Sequence, residues 1–361
     1  MAVFACAGCG AVLTAPVAQV ALPVHARRSY GHALLPALME PGTYAVDPEP
    51  SGPPWRRWSE IGAGEAAARG VFAPVRSLSF GAPGAIAVAP GDIRDVALIP
   101  ERCDGYCQGL DGRDGPNLAC VHCGRAVATR VDDCSYWQAV WFARDSVRRL
   151  PAGPDRPPVA WEALAEEWED TPPVEPSGAW SPGWAAAVGT SLAHLVAASA
   201  GTPVAVPGGL PAETFGPALD VLLPPGRPAR RVVLAGPGLP ASGPAASGPA
   251  ASGPAPDIAL VPRHPQTGQV WQPPGATTAV PLAADVWLHL AFPRARVPVP
   301  VTGGLPDGVL RDDPLPLHPR ERFRPDGEAF LHTLARLPAV RQPWLREVYD
   351  RVRERPYGRP F

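Results

Sequence analysis

The chain contains no lysine: all 32 of its basic side chains are arginine, and it has a single asparagine, Asn117. Against 34 acidic residues the arginines leave a formal charge of −2. There is therefore no whole-chain basic field to draw the protein onto nucleic acid, and only a local arginine patch could do so. No run approaches the length and apolarity of a membrane span. The start, Met-Ala-Val-Phe-Ala-Cys, lacks the charged and apolar regions of a secretory signal. The expectation is a cytoplasmic protein with no membrane partner. Catalytic signatures are missing too. H-E-x-x-H, G-x-S-x-G and an H-x-E ahead of P-C-x-x-C are all absent, so the metalloprotease, serine-hydrolase and deaminase layouts have no residues to stand on.

What the chain has in excess is proline, 51 residues, and glycine, 37. The prolines forbid long uninterrupted helices. The bias toward Ala, Gly, Pro and Arg is of the kind that a GC-rich, actinobacterial-type genome imposes. A length of 361 residues predicts about two domains with ample core.

Seven cysteines are distributed with a pattern. Cys6-Ala7-Gly8-Cys9-Gly10 and Cys120-Val121-His122-Cys123-Gly124 are each C-x-x-C-G followed by a β-prone run. Two thiolates separated by two residues reach one tetrahedral Zn²⁺ from a tight turn, and the following glycine tolerates the positive φ such a turn needs. In a reducing compartment an odd number of cysteines at this spacing favours metal over disulfides. The two turns resemble the half-sites of the zinc-ribbon and zinc-knuckle families, over residues 6–10 and 120–124 and the strands after them. They depart from those families in their wide separation. The resemblance implies one structural zinc on Cys6, Cys9, Cys120 and Cys123. Closing so long a loop costs about 4 kcal/mol, whereas a structural zinc contributes about 10–16 kcal/mol, so separation does not forbid pairing. Unrelated buried thiols or disulfides are the alternatives.

Cys103, Cys107 and Cys134 remain, with His122 the nearest imidazole. Three thiolates and a histidine make a second closed zinc site, three thiolates and water an open one; His25 and His32 are further candidates to complete it. Alternatively Cys134 is simply a buried thiol. A redox C-x-x-C at Cys120 lacks a thioredoxin-like context. The loop 109–117, with Asp111, Asp114 and Asn117, lacks the EF-hand register and reads as a solvated hairpin tip.

The expected fold class is α+β: a β-rich, zinc-structured N-terminal domain at 1–150, a Pro- and acid-rich linker at 151–182 with one short helix at 159–170, and a C-terminal α/β domain at 183–361. Residues 17–22 and 43–46 read as short strands; runs at 71–75, 78–80, 85–88 and 95–99 predict a small antiparallel sheet that a buried strand at 136–142 closes, with a helix at 59–69. In the second half helices at 184–200, 212–223, 283–292, 326–337 and 344–354 alternate with strands at 204–206, 231–234, 258–261 and 297–301, which predicts a largely parallel sheet. Three copies of Ala-Ser-Gly-Pro-Ala make 241–256 a low-complexity loop.

Three functional readings follow, in order. The first is a binding or adaptor protein, of a protein or small-molecule partner, with zinc structural. The second is an enzyme with its site in the C-terminal half, at the glycine-rich strand ends 206–211, 235–240 and 301–306 or at an open second zinc. The third is nucleic-acid binding through Trp55-Arg56-Arg57-Trp58 and the knuckles.

Overall fold

The computed structural model describes residues 1–26, 34–167, 173–175, 179–239, 257–273, 275, 277–292 and 321–354. It is a mixed α and β structure built of two compact units, Met1–Val159 with Pro265–Gly268, and Ala160–His264 with Gln269–Phe361.

In the first unit the elements are β1 (Ala2–Cys6), β2 (Ala18–Gln19), β3 (Thr43–Val46), β4 (Trp55–Arg57), α1 (Ala63–Ala68), β5 (Ser77–Ser79), β6 (Ile86–Val88), β7 (Val96–Leu98), β8 (Leu118–Cys120), β9 (Ala126–Val131), β10 (Ala139–Phe142) and β11 (Val147–Pro151). Seven of these strands form one sheet in the order β2-β3-β6-β10-β9-β8-β7, antiparallel except for β2 with β3. β1 pairs with β11, and β4 with β5, as separate antiparallel ribbons. Strands this short hold because alternate residues share one core: Phe4, Leu13, Tyr44, Val88, Leu118, Val127, Val140 and Phe142 are buried together with Cys6 and Cys120. Phe4 anchors it, edge-on to Tyr44 at 4.9 Å between ring centres.

The strand expected at 71–75 does not form. Val71 and Ala73 are buried, but Pro74 has no N–H to give a ladder. At 136–142 only Ala139–Phe142 is strand, because Ser135 turns the chain with φ 77°. Asn117 is not part of a solvated tip. It is 1% exposed and clamps β9, donating to Arg130 O (2.9 Å) and accepting from Arg130 N–H (2.7 Å).

The second unit contains α2 (Trp161–Glu167), α3 (Pro182–Ala198), β12 (Val204–Ala205), α4 (Leu210–Leu222), β13 (Arg230–Leu234), β14 (Ile258–Arg263), β15 (Thr278–Ala283), α5 (Ala284–Ala291), α6 (Gly327–Arg336) and α7 (Pro343–Arg353). Among the described residues its four strands run β12-β13-β14-β15, all parallel. Pro262 sits in β14 beyond the residues that pair with β13, where its missing N–H costs nothing. α3 begins with Pro182 at its first turn, where proline's fixed φ suits a helix start. It packs on β15 and α6. Gly189 allows the latter, because a Cβ there would stand 2.3 Å from Asp326 O. The strand expected at 297–301 and the repeat tract lie outside the described residues.

Candidate metal centre

Each C-x-x-C-G turn is closed by the same hydrogen bonds. Gly10 N–H donates to Cys6 O (2.9 Å) and Cys6 N–H to Ala11 O (2.8 Å); Gly124 N–H donates to Cys120 O (2.8 Å) and Cys120 N–H to Arg125 O (2.9 Å). Both glycines have positive φ, 83° and 71°, a backbone that side chains resist. The first cysteine of each turn ends a strand and is buried, and the second is exposed.

The correspondence extends to the chain that crosses each turn. Val147 stands opposite Cys6 in the β1–β11 ladder, and Val96 opposite Cys120 in the β7–β8 ladder. Ala7 N–H donates to Ser146 O (2.9 Å) and Val121 N–H to Asp95 O (3.0 Å). Just upstream each crossing segment holds the other knuckle: Arg94 N–H donates to Leu13 O (2.7 Å), Ala143 N–H to Val127 O (3.1 Å). Leu13 and Val127 occupy the same place, seven residues after the first cysteine of their turn. The two halves thus exchange straps about a local pseudo-two-fold axis.

That symmetry brings the four thiols together. Cys6 Sγ lies 3.6 Å from Cys123 Sγ, and Cys9 Sγ 3.6 Å from Cys120 Sγ. All four sulfurs lie within 4.8 Å of one another, a cluster that could hold a metal ion. Burial opposes ionisation of Cys6, but N–H donors from Cys9 and Gly8 and the neighbouring thiols outweigh it and bring the thiol down to about 7. At Cys123 the Arg125 N–H favours the thiolate, yet burial and the thiols of Cys6, Cys9 and Cys120 prevail and push it up to about 11. Four thiolates this close repel one another, and a divalent cation is what lets all four ionise.

The remaining sequence candidates separate. Cys107 and Cys134 come together, but their third neighbour is Asp133. Cys103 Sγ instead donates to Ile99 O at 3.3 Å. His122 stands at the tip of the second knuckle with Nε2 3.4 Å from Asp95 Oδ2. His25 packs on the Trp137 ring, 4.4 Å between centres, and His32 lies outside the described residues.

Other sequence features have structural explanations. After β13, a Cβ on Gly236 would stand 2.3 Å from the Trp287 ring and one on Gly238 3.0 Å from Phe292, so these glycines make room for aromatic side chains. Gly208 and Gly209, ahead of α4, face open space; the third glycine-rich end lies outside the described residues. In Trp55-Arg56-Arg57-Trp58, the Arg56 guanidinium is engaged by Glu65 (3.1 Å), Glu60 O (2.6 Å) and the Phe80 face. Trp55 is 55% exposed. Among the described residues no helix is long and apolar enough to cross a membrane.

Comparison with protein families, curated proteins and solved structures found no match.

Proposed function

We propose that the chain is a zinc-stabilised binding or adaptor protein, with one structural Zn²⁺ on Cys6, Cys9, Cys120 and Cys123. The observation that carries this reading is the meeting of two matching knuckles from opposite ends of the first unit. Donors 2.3 Å from a tetrahedral Zn²⁺ stand about 3.8 Å apart. The cross-knuckle separations of 3.6 Å fit that spacing, and four sulfur donors suit zinc's preference. Zinc there supplies cohesion, fixing β1 to the β8–β9 hairpin. A closed four-thiolate shell leaves no position for a substrate, which favours a structural over a catalytic role.

For binding, support comes from the knuckle surface. β7 is a terminal strand of the seven-stranded sheet, so its outer edge is open to strand addition. Leu98 on that strand is 46% exposed, and Val121 at the adjoining knuckle tip 54%. A protein or peptide partner with an extended apolar segment fits such an edge. Metal analysis of the purified chain tests the zinc assignment: at least one equivalent, lost on Cys123→Ser, is expected. A metal-free protein with an unchanged melting temperature would overturn it.

A further inference from the structure

We propose that Cys107, Asp133 and Cys134 form a second, open site for a divalent thiophilic cation of the Zn²⁺ class, with water completing its shell. The two sulfurs and a carboxylate oxygen lie within 4.8 Å of one another, close enough to share one ion. Asp133 is 3% exposed, and its Oδ2 accepts one neutral donor, Gln108 N–H, at 3.0 Å. Among the described residues no arginine or histidine nitrogen comes within 4.0 Å of it. The carboxylate faces two thiols. One divalent cation would turn all three groups into ligands.

The local backbone is arranged to the same end. Cys107 and Ser135, on the two segments that meet here, both have positive φ, 52° and 77°, conformations non-glycine residues hold only where surroundings enforce them. They bring Cys107 back toward Cys134 across 27 residues of chain. Arg113, in the same loop, is committed elsewhere, to Asp111 and the Tyr106 face. Cys107 is exposed, so the coordination opens to solvent on that side. Three protein ligands and a water are the arrangement of exchangeable or reactive zinc rather than of a closed structural site. The inference does not rest on the four-cysteine centre, which shares no residue with it.

The test uses the full chain, purified with reductant, stripped and titrated with Co²⁺, whose thiolate charge-transfer absorption reports sulfur ligation. Two equivalents are expected. Cys107→Ser should remove one and leave the other. Asp133→Asn, which keeps shape and the Gln108 contact, should weaken that same equivalent at least about tenfold. Cys123→Ser should remove the other. One equivalent in the parent chain, lost on Cys123→Ser and indifferent to Cys107→Ser, overturns this site and leaves the four-cysteine reading standing. The converse pattern overturns the four-cysteine reading and supports this one. Loss of the second equivalent on Cys103→Ser, with full retention in Asp133→Asn, overturns the ligand assignment. A Cys107–Cys134 disulfide that persists under reductant overturns the site outright.

Discussion

Cys6 and Cys123 stand 117 residues apart in sequence with their sulfurs 3.6 Å apart, so each knuckle's exposed cysteine caps the other's buried one. If a single ion joins the four thiols, Cys6→Ser and Cys120→Ser are equivalent lesions. Each should release the same zinc equivalent and lower the first unit's melting temperature by a similar amount, on the order of 10 °C. Zinc release and calorimetry on both variants check this, and retention in one with loss in the other refutes it.

The clamp between Asn117 and Arg130 replaces ladder bonds beside the β8–β9 irregularity. Asn117→Ala leaves the half-buried Arg130 N–H and C=O without these partners. A loss of about 1–3 kcal/mol is expected, read by denaturant unfolding. The metal content should be unchanged, since the substitution touches none of the cysteines.

In the second unit Gly236→Ala should destabilise by about 1–3 kcal/mol through overpacking. Trp287 is fully buried and donates its indole N–H to Leu260 O at 3.1 Å, so it cannot step aside. Gly208→Ala, with open space around it, should change stability by no more than about 0.5 kcal/mol. Equal effects in the two variants would show that the aromatic contact does not dictate glycine at 236.

Burial holds His25 well below its ordinary 6.5, at about 4. A histidine depressed in the fold takes up protons on unfolding, so its contribution is complete above pH 6.5 and falls away as pH drops toward 4. Stability should decline across that window, by no more than about 3 kcal/mol from this group. Unfolding curves at pH 7 and pH 5 should converge in His25→Phe; an unchanged slope would assign the pH dependence to other groups.

Much of the second unit was legible in the sequence. α3, α4, α6 and α7 begin and end within two residues of their expected limits, because alanine and leucine recur at helical spacing around proline starts. The parallel sheet followed from alternation. In the first unit β1 and β11 carried no such signal, each gaining its stability from a strand remote in sequence, and β8 is only three residues long. β11, Val-Arg-Arg-Leu-Pro, lacks an apolar alternation, and only Val147 at its start is buried. The paired knuckles were visible because C-x-x-C-G is a local pattern. Asp133 was not, because a carboxylate becomes a ligand candidate only through burial and the company of thiols from another segment. The straps were equally hidden, being backbone contacts made by ordinary side-chain types.

The exchange of straps also dictates an order of events on the ribosome. Cys9 and Cys120 are 111 residues apart, and at about 5–20 residues per second roughly 6 to 20 seconds separate their synthesis. Through that interval the first knuckle has neither its partner thiols nor Ser146 and Val147, which arrive later still. Any ion it catches is held by two sulfurs alone, in easy exchange with the cell's metal pool. If a metal occupies the four-cysteine cluster, its identity is therefore decided only after the second knuckle emerges, when four donors compete for it at once.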